Sequence, residues 1–332
     1  MADERRMLRR WVLMIGLALP LCVLAESGED AEAGIGVERV APLPADYNES
    51  VMVFSMSDDG EQEISLRLAR FFERERGEIW LHVATSDGAW SLAFDGFQLP
   101  HTRATPVFDE SAVYAAKRGE ESVRFATDAR HEGRMRARVT GRLFANPTRH
   151  PEPGAGQVPV SFDLAFSGSW PGVRSANGRW ELTGAVDGWI EVNGRRTAIS
   201  HQGKWHEKFG PRPSFARSFV YFAAQSEDRA LLAIGSAAGT GGFFRQGDDV
   251  RQVTGLDIDP HGSAMRAFEI TLDNGDVLAG TARVVQDWSV PIEGRRRPGS
   301  AVLLDGDLKG MTGTLNDWVS GDNAGDNDRE QR

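Results

Sequence analysis

Alternation of apolar and polar residues, repeated along most of the chain, is what most constrains its fold. EISLRLARFF (63–72) and EIWLHVAT (78–85) alternate, and RMRARVTGRLF (134–144) sets charge on one face and Met135, Ala137 and Val139 on the other. VPVSFDLAFSGSW (158–170), RWELTGAVDGWIEV (179–192), SFVYFAAQ (218–225), ALLAIGSA (230–237), AFEITL (267–272) and DVLAGTARVVQDW (276–288) read the same way. A period of two belongs to the β-strand, whose successive side chains point to opposite faces. Turn signals separate the runs: Asp58-Asp59-Gly60, Asp87-Gly88, Asn193-Gly194, Asp273-Asn274-Gly275 and Asp305-Gly306. No long segment holds a helical period, and SAVYAAKRGEE (111–121) reads equally as helix or strand. Many strands at roughly ten-residue spacing with short turns predict an all-β protein of antiparallel sheet, as barrel or sandwich. The strands outnumber those of a single barrel. Two β domains are therefore expected, over 48–195 and 196–320, divided after the Asn193-Gly194 turn.

The ends read differently. Residues 1–25 combine four arginines with the apolar run WVLMIGLALPLCVL (11–24), which is of signal-peptide length and short for a membrane span. Cleavage near Ala25 is expected, giving a periplasmic or secreted protein. Cys22 raises a lipoprotein reading, but Leu21 before it is not the small residue such signals carry. Residues 26–47 are acidic and rich in Ala, Gly and Pro, as in a tether, and 321–332 read as a disordered tail.

Cys22 is the only cysteine, so the mature chain has no disulfide, thiolate zinc site or thiol nucleophile. The whole chain carries a net charge of -10. The first 25 residues hold four arginines against one Asp and one Glu, a net of +2, leaving -12 for the mature part. That argues against nucleic acid and against an anionic membrane surface as partners. No later stretch is apolar enough over sufficient length to insert stably in a bilayer after signal cleavage.

The stretch HQGKWHEKFG (201–210) concentrates the residues that carry chemistry. On a strand, His201 and His206 are five apart and point to opposite faces, so no shared metal is expected. His206 and Lys208 share one face; Trp205, Glu207 and Phe209 share the other. A titratable imidazole on one face, or a carboxylate between two aromatics on the other, suits acid–base work. A solvated Glu207 between edge aromatics is the plainer alternative. GTGGFF (239–244) lacks the Lys and Ser/Thr of a phosphate loop, and DIDPHG (257–262) lacks calcium-loop spacing.

The run GWIEVNGRRTAISHQGKWHEKFGPRPSFARSFVYFAAQ (188–225) resembles the centre of the carotenoid 1,2-hydratase/AttH superfamily. Gly194 and Gly203 match the family's turn glycines, His206 its motif histidine, Gly210 its glycine and Arg212 its arginine. Trp180-Glu181 resembles the upstream aromatic–Glu pair, and EIWLHVATSDGAWSLAF (78–94) the paired strands of the N-terminal barrel. Trp205 stands where the motif has aspartate, and Phe209 where it has tryptophan.

The resemblance implies two lipocalin-like antiparallel β barrels and chemistry without a redox cofactor. It implies an exported hydratase/dehydratase, cyclase or isomerase acting on a hydrophobic small molecule of terpenoid, steroid or polyketide type. Glu207 or Glu181 would donate a proton and His206 would orient water or the acid. Trp205, Phe209, Tyr221 and Phe222 would line the ligand site, with His201 and Arg212 beside it. A periplasmic carrier of a hydrophobic ligand is the alternative, which the missing motif aspartate favours. A carbohydrate-active β-sandwich is a third reading, against which the resemblance speaks.

Overall fold

The computed structural model describes residues 47–71, 76–92, 113–118, 121–127, 134–144, 156–168, 173–175, 178–211, 218–292 and 295–318. The expected signal segment, most of the tether, Arg212 and the tail lie outside them. The described residues form nineteen strands and one short turn of 3₁₀ helix. The first strands are β1 (Tyr47–Met56), β2 (Glu63–Phe71), β3 (Arg76–Thr85), β4 (Gly88–Leu92), β5 (Val113–Arg118) and β6 (Glu121–Thr127). Then come β7 (Arg134–Phe144), β8 (Gln157–Gly168), β9 (Val173–Ser175), β10 (Arg179–Val192) and β11 (Arg195–Pro211). The remainder are β12 (Phe219–Gln225), β13 (Arg229–Ser236), β14 (Gly239–Gln246), β15 (Asp249–Ile258), β16 (Met265–Leu272), β17 (Val277–Ile292), β18 (Arg295–Leu304) and β19 (Thr312–Trp318).

Two antiparallel sheets result. In the first the order is β4-β3-β2-β1-β11-β10-β8-β7-β6-β5, with β9 added to β10. The sheet curls back on itself where β4 also pairs with β7, at Ser91↔Phe144 and Leu92↔Leu143. The second is a closed barrel of β12 to β19 in chain order, with β19 returning to β12. The all-β, two-barrel architecture is the one expected, and SAVYAAKRGEE forms strand β5 over Val113–Arg118. On this topology the division expected at residue 195 falls at the β10–β11 turn, between two neighbouring strands of the first sheet. The second barrel's strands begin at Phe219.

One turn fixes the strand pair that matters most. Asn193 (φ 51°) and Gly194 (φ 78°) both occupy the left-handed region, as a two-residue type I′ hairpin requires. Val192 is thereby set opposite Arg195, and the register runs without a bulge for fourteen pairs, to Arg179↔Lys208.

Each barrel encloses its own apolar core. Val51, Val53, Leu66, Leu68, Trp180, Leu182 and Trp205 belong to the first. Phe222, Leu231, Phe268, Ile270, Val302 and Leu315 belong to the second. The outward faces of the two barrels also meet. Ala69, Phe71 and Trp80 pack with Trp288 and Trp318, and Met52, Phe54 and Met56 pack with Ala301, Val285 and Leu303. The polar residues that alternate with the first core are thus buried in a seam, not exposed to water. Ser50, Glu63, Arg67, Lys204, His206 and Lys208 are all 6% exposed or less.

Candidate active site

The β10–β11 hairpin places side chains by register. Opposite residues of an antiparallel pair share a face, with Cβ atoms about 5 Å apart. Thr183 lies opposite Lys204, Glu181 opposite His206 and Arg179 opposite Lys208. The intervening Trp180, Leu182 and Trp205 turn into the first core. Two glycines shape the hairpin. Gly178 (φ 75°) leads into β10, and a Cβ there would lie 2.1 Å from the carbonyl oxygen of Phe209. At Gly203 a Cβ would lie 2.4 Å from the carbonyl oxygen of Phe54 on β1. Both positions need the close approach that only glycine permits.

On the seam face four polar side chains converge. His206 Nδ1 lies 2.7 Å from Glu181 Oε1. Lys204 Nζ donates to Glu181 Oε2 at 3.4 Å, and Arg179 Nη1 to Oε1 at 3.5 Å. Lys204 Nζ also donates to the hydroxyl of Tyr221, on β12 of the second barrel, and sits 4.6 Å from that ring's centroid. Arg245 on β14 donates to Thr183 Oγ1 at 2.8 Å, a second polar link between the barrels.

The charges of the cluster follow from burial and neighbours. Burial alone would raise the Glu181 carboxyl, but His206, Lys204 and Arg179 outweigh it and hold it well below the usual carboxylate range. Burial pushes the His206 imidazole down, against the pull of Glu181. Burial also acts to lower Lys204, and Glu181 and Tyr221 reverse this and raise it. Burial, reinforced by Glu181, raises the phenol of Tyr221. At neutral pH Glu181 is therefore ion-paired with Lys204 and Arg179, while His206 and Tyr221 are uncharged. An ionised carboxylate only accepts, so Nδ1 of His206 carries the proton and Nε2 presents its lone pair.

This arrangement can move protons. A neutral imidazole held by a carboxylate is a base with a fixed tautomer. A phenol that accepts a hydrogen bond from an ammonium group is a polarised donor toward an electron-rich oxygen. An ionised Glu181 has no proton to give. As an acceptor 2.7 Å from Nδ1, it can hold the imidazole in one orientation.

The structure divides the other expected site residues. Glu207 is fully buried on the opposite face of β11, inside the first barrel, where Trp205 Nε1 donates to its Oε1 at 3.0 Å. Trp205 packs there against Phe125 and Phe166. Phe222 lies in the second core, with its centroid 5.5 Å from that of Phe268. Phe209 is half-buried at the end of β11, and its amide donates to the carbonyl of Gly178. His201 sits near Asp58 and Asp59, and burial lowers its pKa against their attraction. Of the expected set, His206, Glu181 and Tyr221 come together; Glu207, Trp205, Phe209, Phe222 and His201 do not join them. Consecutive strand residues face opposite ways, so Trp205 and Glu207 cannot share a site with His206. The same holds for Phe222 and Tyr221.

Lys204, Arg179 and Arg245 were not among the expected residues. Lys204 was within reach of the period-two rule, two positions before His206. Arg245 was not, because nothing local announces a contact between barrels.

No protein-family model and no curated protein matches the chain. Solved structures do match it in fold. CghA superposes with a TM-score of 0.57 at 12% identity, covering 84% of this chain and 90% of its own. CghA in complex with Sch210972 gives 0.56 at 12% identity, with 83% and 90% covered. A Nitrosomonas europaea protein assigned as an AttH gives 0.52 at 14% identity, covering 86% of this chain and 99% of its own. The fold expected from the resemblance to the AttH superfamily is thus the fold observed.

Proposed function

We propose that the protein is an exported acid–base enzyme of the hydratase/dehydratase, cyclase or isomerase type, acting on a hydrophobic small molecule. One observation carries this reading: the buried Glu181–His206 pair beside a Lys204–Tyr221 donor pair. The fold shared with CghA, whose structure holds the small molecule Sch210972, supports a small-molecule substrate. The apolar run 11–24 behind its arginines supports export.

The site favours a substrate whose double bond is conjugated to a carbonyl. In hydration, Tyr221 donates a hydrogen bond to the carbonyl oxygen. His206 Nε2 takes a proton from water, and the water oxygen bonds to the carbon remote from the carbonyl. The displaced electron pair shifts toward the carbonyl oxygen. The proton on His206 then passes to the carbon next to the carbonyl. One water is added, and dehydration is the reverse. Lys204 steadies the negative charge that builds on the oxygen between the two proton transfers. Cyclisation uses the same base and donor, with a nucleophile of the substrate in place of water.

The test is mass spectrometry of organic extracts after incubation of the mature protein in oxygen-18 water with terpenoid, steroid and polyketide enones. Label incorporation or loss of water, abolished in His206→Ala, would support the reading. Isomers of unchanged mass would indicate the cyclase or isomerase form. A ligand recovered unmodified, with no turnover, would favour the carrier reading instead.

A further inference from the structure

The seam between the barrels holds a second group of buried polar atoms, away from His206. Glu63 and Ser65 alternate on β2 and face the second barrel; they are 1% and 0% exposed. Neither carboxyl oxygen of Glu63 has a hydrogen-bond partner among the described residues, and neither has the hydroxyl of Ser65. Ser65 lies opposite His82 of β3, whose ring stacks on Trp288 of the second barrel at 4.5 Å and 11°. Trp288 is 1% exposed, and its indole N–H is likewise without a partner among those residues. The indole is held in place, since a Cβ at Gly299 would lie 2.0 Å from its ring.

An apolar strip adjoins this group. Glu63 is opposite Met56 and Ser65 opposite Phe54, and both partners pack on Ala301, Val285 and Leu303 of the second barrel. Burial pushes the Glu63 carboxyl up to about 8, with no opposing charge. At neutral pH it is an uncharged acid and a hydrogen-bond donor. Ser65 and Trp288 are donors as well. Buried donors in native proteins are satisfied, and those left over in a structure call for an acceptor. Three unpartnered donors in an otherwise apolar seam suit one class of acceptor, the oxygen of an otherwise apolar molecule.

We infer that the seam contains a second binding site, at Glu63, Ser65 and Trp288, which takes the uncharged carbonyl oxygen of a hydrophobic ligand. The site binds and does no chemistry, and it stands independently of the reaction at His206. From Met52, opposite His206, it lies further along β1 on the same face.

The probes are acetophenone and α-methylstyrene, an isosteric pair that differ in the carbonyl. Dissociation constants are measured on the whole protein by ligand-detected NMR. The wild type is expected to prefer the ketone by roughly tenfold, the worth of one or two net hydrogen bonds. Glu63→Leu should abolish the preference and leave α-methylstyrene binding intact. Glu63→Gln, whose amide still donates, should keep most of it, and Ser65→Ala should reduce it. His206→Ala and Tyr221→Phe should retain it. Equal binding of both probes by the wild type would overturn the inference. So would a preference that survives Glu63→Leu, or one lost in Tyr221→Phe, which would place the ketone beside Lys204. Failure of His206→Ala to affect turnover would count against the proposed reaction alone.

Discussion

His206 and Glu181 meet, Nδ1 to Oε1 at 2.7 Å, because one two-residue turn sets both strands in register. Eleven residues back from Val192 is Glu181, and eleven forward from Arg195 is His206. The carboxylate partner of the imidazole thus comes from the neighbouring strand. The position just before the histidine points into the first core, which is why Trp205 can occupy it without removing the acid. Replacing His206 by Ala should lower turnover by about 10²–10⁴-fold, the usual worth of a positioned base. Circular dichroism should keep its β signature while the urea midpoint falls, because Glu181 loses a buried hydrogen bond; single-turnover rates per folded molecule, on the substrate found by the labelling experiment, would check the loss of turnover.

Lys204 acts with His206 and Arg179 to hold Glu181 ionised. Its replacement by Met removes one partner of a buried pair and leaves Arg179, at 3.5 Å, as the carboxylate's cationic partner among the described residues. The folded-state pKa of Glu181 should then rise. A depressed carboxylate contributes stability that is present above its unfolded pKa and lost as pH falls through the folded one. Lys204→Met should therefore unfold at a higher pH on acidification than the wild type. It should also weaken the hold on the Nδ1–H tautomer, lowering turnover more than it raises KM. Acid titrations followed by tryptophan fluorescence and steady-state rates measure the two effects.

The hairpin turn offers a test of fold without touching the site. Gly194, at φ 78°, has open space around it, so a side chain there meets strain of backbone alone. Gly194→Val should cost about 1–2 kcal/mol of stability, read from the urea midpoint. Activity per folded molecule should be unchanged, since the register is held by fourteen pairs.

Much of this architecture is legible in the sequence. Period-two alternation marks the strands, and Asn193-Gly194 marks the hairpin that joins Glu181 to His206. The function of the polar face is not legible. Glu63, Ser65 and Arg67 alternate with Ile64, Leu66 and Leu68, which reads as a sheet with one wet face. The second barrel covers that face, and no local pattern announces it. Tyr221 reaches Lys204 across the same seam, so the donor pair appears only once both barrels are in place.

Arg266 shows the same limit inside the second barrel. It is fully buried and bidentate to Asp317, at 2.6 and 3.1 Å. Removing one partner strands a buried charge, so Arg266→Met should cost about 3–5 kcal/mol. The double variant with Asp317→Leu should recover most of that loss, because the pair offsets its own desolvation only in part. A double-mutant cycle in urea gives the coupling directly.

Glu63 makes the seam sensitive to alkaline pH, and the sign is fixed by its environment. Its ordinary value is 4.5, and burial raises it to about 8 in the folded protein. Between those values the folded chain holds a proton that the unfolded chain has released. Stability must then fall as pH rises across that window, by about 1.4 kcal/mol per pH unit from this group. Above about 8 the carboxylate is charged in an apolar seam and the full cost is present. Glu63→Gln keeps the shape and removes the titration. It should flatten the slope between neutral and alkaline pH and leave the variant more stable than the wild type at pH 9. Urea unfolding at several pH values decides the matter. Parallel slopes for the two proteins would mean that Glu63 is ionised within the folded seam, and its donor role there would fall with that result.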